Sequence, residues 1–482
     1  MNFGIIKRTI GWLLLFETAF FLVPLITALC YQEEEIYDFL ATMIFCAAVG
    51  ALLLIGKPKT STVYAKEGFV IVALGWIVLS LFGALPFWFS RTIPSYIDAL
   101  FETVSGFTTT GASILDSSVI EGLPKSILIW RSFTHWVGGM GVLVFIMVFL
   151  PLSGGGHNMN ILKAESPGPT VSKLVPKMRQ TAKILYLIYA TLTVLQLLFL
   201  ICGGMPLFDA INAAFATAGT GGFAIKADGF NGYSSYLQIV VTVFMLIFSI
   251  NFNSYYMMIK GKWKEVLTAE VKAFLIIVGS AIGLITLNVL CTQTFTSFGE
   301  ALKHVAFSVA SIISTTGFAT ENFDLWPAFS KTILVLLMFI GSCAGSTGGG
   351  IKVSRMLVLF KGTSHELKRK LHPKQVKKIT MDGRVVEDEV IHGVRAFLIA
   401  YIAVFIVSLL VISLECQDMT TNFTAVAATM NNIGPGLGFV GPAGNFSFYS
   451  WWSKLVLIFD MLVGRLEVFP MLLLFAPATW RK

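Results

Sequence analysis

An all-α, polytopic membrane fold with a fourfold internal repeat is predicted by three observations on this chain. The first is composition: 55% of the 482 residues are hydrophobic and 13% charged, with 41 Phe, and the mean hydropathy is +0.78. Such a balance suits lipid rather than water. The second is that near-continuous apolar stretches recur at about the ~20 residues a helix needs to cross a bilayer. The third is a set of four short polar turns, each following an apolar run too short to cross. They read Thr108-Thr109-Thr110-Gly111, Gly219-Thr220-Gly221-Gly222, Ser314-Thr315-Thr316-Gly317 and Asn431-Asn432-Ile433-Gly434. Their last glycines fall 111, 95 and 117 residues apart, so one unit is used four times.

Ten long apolar stretches lie at 10–30, 36–56, 69–89, 126–150, 183–203, 236–259, 271–291, 331–360, 394–414 and 451–478. The first follows Lys7-Arg8 and has the outline of a signal peptide. It lacks a clear small-residue cleavage site and leads at once into another span, so it reads as a retained helix. With 36–56 it forms an N-terminal helix pair (1–66) without a Thr/Gly turn, outside the repeat. Unit one (67–165) then takes 69–89, the short run 97–109 and 126–150. Unit two (166–265) takes 183–203, 208–219 and 236–259. Unit three (266–392) takes 271–291, 300–314 and 331–360, and unit four (393–482) takes 394–414, 421–431 and 451–478. Asp98-Ala99-Leu100 and Asp209-Ala210-Ile211 open the first two short runs, where an acidic residue caps free N–H groups and suits the positive end of the helix dipole. Ser297-Phe298-Gly299-Glu300 has capping-box spacing, and Thr420, Thr421 and Asn422 are the candidates in unit four.

The net charge of +8 would suit nucleic acid, but its distribution points to topology. With a cytoplasmic N-terminus, most Lys and Arg fall in alternate loops, in 57–66, 163–183, 260–272 and 352–395 and at the C-terminus, as the positive-inside rule expects. Glu33, Glu34, Glu35, Glu415 and Asp418 fall on the other side. Six scattered cysteines with no CxxC indicate neither a disulfide framework nor a metal site. An enzyme is not indicated either: His135, His157 and His304 stand apart from any nucleophile or metal constellation.

Non-helical backbone at membrane depth is tolerated where protein buries it or water reaches it. Four such turns around one axis make a pseudo-fourfold set of helix–pore-loop–helix repeats, whose carbonyls can replace the water shell of a dehydrated cation. Glycine opens φ values closed to other residues, and threonine hydroxyls brace the turn or add oxygens. The partly negative C-terminal ends of the short helices point toward the turns, favouring a cation. Unit four departs most, with asparagines for threonines and Pro435-Gly436 following. The bland alternative is that the turns are helix-packing features, where small residues are common.

Five glycines in Gly341-Ser342-Cys343-Ala344-Gly345-Ser346-Thr347-Gly348-Gly349-Gly350 each cost about 1 kcal/mol in a helix and should unwind the middle of 331–360. No Gly-Lys-Ser/Thr follows, so this is not a phosphate loop. It is either a kink for close packing or a flexible gate across the pore below the turns. Arg465, in the middle of 451–478, is costly at bilayer depth. It partners the glycine loop's carbonyls, acts as an electrostatic barrier, or pairs with Glu467 or Asp460. The cytoplasmic loops 152–182 and 361–393 are the longest polar segments. The second carries Lys368-Arg369-Lys370-Leu371-His372-Pro373-Lys374 and Glu387-Asp388-Glu389, which suits topology, lipid contact or a cytosolic partner. A stoichiometric cotransporter would need acidic residues at the midplane, and Glu102 is the best candidate.

Gly-Phe-Thr-Thr-Thr-Gly-Ala (106–112), Ala-Gly-Thr-Gly-Gly-Phe (218–223), Ser-Thr-Thr-Gly-Phe-Ala (314–319) and Asn-Asn-Ile-Gly-Pro-Gly (431–436), with the broken helix in unit three, make the chain resemble the Trk/Ktr/HKT superfamily of potassium transporters over essentially its whole length. The resemblance implies a potassium selectivity filter of Thr109, Thr110, Gly111, Thr220, Gly221, Gly222, Thr315, Thr316, Gly317, Asn432, Ile433 and Gly434. Related plant members with serine at the first filter position prefer sodium, so Gly111 implies potassium. The family's gate maps to Gly345, Ser346, Thr347, Gly348, Gly349 and Gly350, and its pore-lining arginine to Arg465. The resemblance further implies a homodimer in the bacterial inner membrane, with one pore per protomer. It implies regulation by a cytosolic TrkA-like ring that binds NAD and ATP, with no cofactor on this chain. The expected activity is channel-like potassium uptake, with proton- or sodium-coupled cotransport as the alternative.

Overall fold

The computed structural model describes residues 1–56, 64–141, 178–372 and 378–480. Among these, six helices are long and apolar enough to cross a bilayer: Phe3–Tyr31, Ile36–Leu54, Lys66–Phe89, Ala182–Cys202, Ala269–Cys291 and Asp388–Glu415. The chain is an all-α, multi-pass membrane protein. Its only strands among the described residues are a hairpin of Thr380–Met381 and Arg384–Val385, turned by Asp382-Gly383 with both residues at positive φ. The end of the 126–150 stretch, the 165/166 unit boundary, His157 and most of the 152–182 loop lie outside the described residues. So do Lys57, Lys59, Pro373, Lys374, Arg481 and Lys482.

These six spans are the N-terminal pair and the first span of each unit. The second helices refine the sequence reading: the break expected in unit three is present, and the described parts of the other three are interrupted as well. In unit one the second helix (Lys125–Gly139) stops at Gly139, before Gly141 at φ 78°. In unit two Ser235–Ser249 and Phe252–Ile259 meet at 90°. Ile250 is extended there, and Asn251 caps the second piece through Asn253 N. In unit three Ala328–Ile340 and Val353–Leu371 flank the glycine-dense loop, as five glycines dictate. In unit four Trp451–Arg465 ends at Arg465, which is therefore a helix terminus and not mid-span. Glu467 (φ 56°) and Val468 (φ 70°) turn the chain into Phe469–Phe475. A buried β-branched residue at positive φ is a true outlier. Within the 361–393 segment the helix runs on to Leu371, the hairpin takes 380–385, and the next helix starts at Asp388.

The N-terminal pair packs closely. Gly11 and Gly50 each lie against the other's backbone, and a Cβ at Gly11 would sit 2.9 Å from Gly50 O, a small-residue contact of the kind membrane helices use. The pair flanks unit one, whose first helix is 67% buried over its most apolar window, against 28% and 33% for the first helices of units two and three. The short helices sit at the centre: Tyr96–Phe107, Leu207–Gly219, Phe298–Ile313 and Met419–Met430. Their 12 to 16 residues span roughly 18–24 Å, short of the ~30 Å hydrocarbon core. Most of their residues are buried, polar ones such as Glu102, Asn212, Ser308 and Thr424 included.

The expected caps are corrected in detail. Asp98 and Asp209 do lie in the first turn, where the dipole favours them, but neither is the cap. Ser95 caps the first short helix, and Pro206 precedes the second. Asp98 instead pairs with Lys454 at 2.6 Å, and Asp209 accepts from Tyr233 Oη at 2.9 Å. Ser297 stands at the cap position of the third without a side-chain bond. In unit four the cap is Asp418, whose carboxyl is held below the usual range by hydrogen bonds from Thr421.

Candidate functional site

Each short helix ends in the same turn. The N–H of Thr109 donates to Gly106 O at 3.1 Å and that of Thr110 to Ser105 O at 2.8 Å. Thr220 and Gly221 repeat this with Thr217 O (3.0 Å) and Ala216 O (2.9 Å), and Thr315 and Thr316 with Ile312 O (3.1 Å) and Ser311 O (2.9 Å). Asn432 and Ile433 repeat it with Thr429 O (3.2 Å) and Ala428 O (2.8 Å). This is the Schellman pattern, whose pivot is normally glycine. Here the left-handed pivots are Thr109, Thr220, Thr315 and Asn432, at φ 55–59°. Non-glycine residues there cost on the order of 1–3 kcal/mol each, a cost repeated in all four units. Two residues after each pivot comes a glycine at positive φ: Gly111 (77°), Gly222 (78°), Gly317 (84°) and Gly434 (97°).

These glycines close the four turns into a ring. A Cβ at Gly111 would strike the carbonyl oxygen of Gly221, one at Gly222 that of Thr316, and one at Gly317 that of Ile433. A Cβ at Gly434 would lie 2.8 Å from Thr110 O. Each unit thus leans on the next, and the fourth returns to the first. All twelve residues singled out from the sequence lie in this ring. Gly111, Gly222 and Gly317 are partly exposed, whereas Gly434 is buried and Pro435 is partly exposed beside it. Unit four departs here as its sequence suggests. Asn432 Nδ2 donates to Thr110 Oγ1 at 2.9 Å and to Met461 O at 3.0 Å. In units one and three hydroxyls brace the turn instead: Thr108 Oγ1 to Thr110 Oγ1 at 2.7 Å and Ser314 Oγ to Thr316 Oγ1 at 2.6 Å.

Behind the ring stand Glu102, Arg131 and His135. Glu102, the candidate coupling acid, is fully buried and ion-paired with Arg131 at 2.7 Å. It also accepts from Ser113 Oγ and Ile114 N. Arg131 lies over the Phe223 ring at 4.2 Å, so this pair joins units one and two. His135, read as isolated, has Nδ1 2.8 Å from Gly106 O and Nε2 accepting from Phe223 N at 3.3 Å. Those partners, one pure acceptor and one pure donor, require the proton on Nδ1. His304 touches Thr320 Oγ1 at 3.0 Å. The signal for Arg131 was present, since an arginine inside an apolar span is the same cue that singled out Arg465. His135 follows four residues later on the same helical face.

Below the ring lies a second layer. Arg465 donates to Thr347 O at 2.8 Å, Gly138 O at 2.5 Å and Gly139 O at 2.7 Å. It takes carbonyls of the glycine loop, as one reading expected, and also the end of unit one's second helix. Of the acidic residues near it in sequence, Glu467 pairs with Arg355 and Asp460 bonds Ser408. Gly345 to Gly350 run beneath units three and four, with Gly349 N donating to Thr315 Oγ1 at 2.6 Å. Lys352 donates to Gly348 O. The loop also engages the bend of unit two: Cys343 N to Ser249 O at 3.0 Å, Phe252 N to Gly345 O at 3.0 Å, and Thr347 Oγ1 to Phe248 O at 3.2 Å. A cavity of about 150 Å³ is left between loop and wall, lined by Trp76, Gly139, Gly345, Gly349, Lys352 and Arg465 among others.

Comparison with known proteins agrees with this architecture. Residues 35–482 match the family described as TrkH, cation transport protein. The chain is 39% identical to the Trk system potassium uptake protein TrkH of Salmonella typhimurium, covering 100% of both chains. It is 33% identical to the Trk system potassium uptake protein TrkG of Escherichia coli, covering 99% of this chain and 98% of that one. Among solved structures, the potassium transporter TrkH from Vibrio parahaemolyticus superposes with a TM-score of 0.89 at 35% identity, covering 100% of both.

Proposed function

This chain belongs to the TrkH family of cation transport proteins, and on that premise we propose that it takes up potassium across the bacterial inner membrane through the ring of four turns. The relatives are named as uptake proteins and not as enzymes, in keeping with a chain that moves an ion and does no chemistry on it. One observation carries the reading: four helices end in the same turn, and their glycines close a ring through 111, 222, 317 and 434. The C-terminal end of each helix carries roughly half a negative charge. Four such ends converging on a backbone-lined ring offer oxygen and negative potential without a full carboxylate, which suits a monovalent cation that must also leave. Thr109, Thr110 and Gly111 and their counterparts supply those oxygens in this reading.

The layer below is the gate. Gly345 to Gly350 lie across the path under the ring, and Arg465 places a fixed positive charge beside them. Passage requires the loop to leave Thr315 and Arg465. The Glu102–Arg131 pair favours this channel-like reading over a coupled cotransporter, since the carboxylate proposed for coupling is already neutralised. The N-terminus is cytoplasmic in this scheme, a second copy completes a homodimer, and a cytosolic nucleotide-binding ring acts on the cytoplasmic face. The unit limits 67–165, 166–265, 266–392 and 393–482 describe its quarters. Recording from the purified protein in planar bilayers tests the proposal. Unitary currents that reverse at the potassium equilibrium potential are expected, and slow flux strictly locked to a proton gradient would overturn it.

A further inference from the structure

Glu270, in the first turn of unit three's first helix (Ala269–Cys291), is a buried carboxylate whose oxygen Oε1 accepts from Ala344 N at 2.7 Å and from Ser354 N at 3.0 Å. These donors are the two shoulders of the glycine-dense loop, ten residues apart in sequence. One carboxylate oxygen therefore fixes the distance between the ends of a segment with almost no helical bonds of its own. Hydrogen bonds to a charged acceptor are the stronger kind, and a buried carboxylate that loses its donors is left uncompensated. Release of the loop at either shoulder is thus opposed by Glu270.

The same turn is tied to the cytoplasmic surface. Thr268 caps it through Val271 N. The next free N–H, that of Ala269, donates to Asp382 Oδ1 at 2.7 Å. Asp382 is exposed and sits at the tip of the 380–385 hairpin at φ 50°. The hairpin is also anchored by Lys361 Nζ, which donates to Thr380 O at 2.9 Å, and by Met381, which packs against the cluster of Val358, Ile391 and Val394. Lys361 belongs to the helix Val353–Leu371, whose first turn carries Ser354. So the hairpin touches Glu270's own helix and the helix that carries Ser354: one residue from Glu270 on one side, and seven from Ser354 on the other.

We propose that Glu270 is a positioning residue that holds the glycine loop across the path, and that the 380–385 hairpin sets how firmly it holds. This rests on the loop being the gate. Pulling the hairpin outward removes the acceptor from Ala269 N–H and loosens the turn that aims Glu270, so a cytoplasmic movement reaches the loop without contact with the ring.

Cys343, fully buried within the loop, is the reporter. In protein keeping Cys343 as its sole cysteine and reconstituted in liposomes, maleimide labelling should be about tenfold faster in Glu270→Ala than in wild type, equivalent to about 1.4 kcal/mol. Glu270→Gln, which retains an acceptor oxygen, should restore slow labelling in part. Asp382→Ala, at an exposed tip, should give a smaller rise in the same direction. In bilayers the variants should raise open probability while leaving unitary current and reversal potential at wild-type values, which a general loosening of the fold would not do. Wild-type labelling in Glu270→Ala overturns the inference. Should that variant not fold, wild-type labelling in both Glu270→Gln and Asp382→Ala does so. Faster labelling with unaltered flux leaves Glu270 as the holder of the loop and removes the loop as gate.

Discussion

The ring and the layer beneath it are built on opposite plans. In the ring, four segments of different sequence adopt one backbone geometry, pivots at φ 55–59° and glycines two residues on. In the inner layer four second helices are interrupted in four ways: a terminus at Gly139, a 90° bend at Ile250-Asn251, a glycine loop and a turn at Glu467-Val468. The ring is held by main-chain bonds and hydroxyl braces internal to the turns and, between turns, by glycine-to-carbonyl contact and the Asn432–Thr110 bond. The inner layer is held across units by Arg465 of unit four and by the loop's bonds to the bend of unit two, with Lys352 and Thr315 holding the loop from within its own unit. Symmetric backbone suits a task that each quarter performs equally, such as surrounding an ion. Asymmetric side-chain clamps suit a task performed once, such as blocking or clearing the way.

That contrast can be broken most severely behind the ring. Glu102→Ala leaves Arg131 buried without its partner, at a cost of about 3–5 kcal/mol. Thermal unfolding in detergent should show a large loss of stability, with uptake lost as well; an unchanged melting temperature would remove the pair as a brace. Within the ring, Gly222→Ala drives a methyl into Thr316 O and should reduce potassium uptake on the order of 100-fold at equal protein levels, a penalty near 3 kcal/mol. Uptake by potassium-starved cells checks it, and preserved uptake would mean that ring closure is not needed. In the inner layer the sign reverses. Arg465→Ala should raise flux by roughly tenfold, in line with the loss of about one charged hydrogen bond, with the potassium-to-sodium ratio unchanged in reversal-potential measurements. The smallest effect belongs to Thr315→Val, which removes the acceptor of Gly349 N–H for about 1 kcal/mol. A several-fold rise in open probability is expected, and a change in ion preference instead would blur the division between layers.

The ring was legible because its chemistry is local. A turn that needs positive φ recruits glycine, and an entering helix too short to cross leaves its length in the sequence. The repeated spacing then did the rest. The caps were misassigned for the opposite reason. Asp98 is engaged by Lys454, more than 350 residues away, and that partner cannot be read from residues 95–100. The bend at Ile250-Asn251 carries no glycine or proline, and its donors and acceptors, Ser249 O and Phe252 N, are taken up by Cys343 and Gly345 of another unit. His135 and Arg131 were within reach, since a polar residue inside an apolar span is a signal wherever it occurs.

Ring closure also has a meaning in time. Gly434 lies against Thr110, Lys454 pairs with Asp98, and Phe446 N donates to Ser113 O at 2.9 Å. The first turn to be synthesised is therefore walled on one side by nearly the last. At roughly 5–20 residues per second, on the order of tens of seconds separate the two in a growing chain. Until the fourth turn is made, the side of the first turn that it walls stays open. The closed ring is thus a property of the finished polypeptide, and a chain cut short before Gly434 lacks its fourth side.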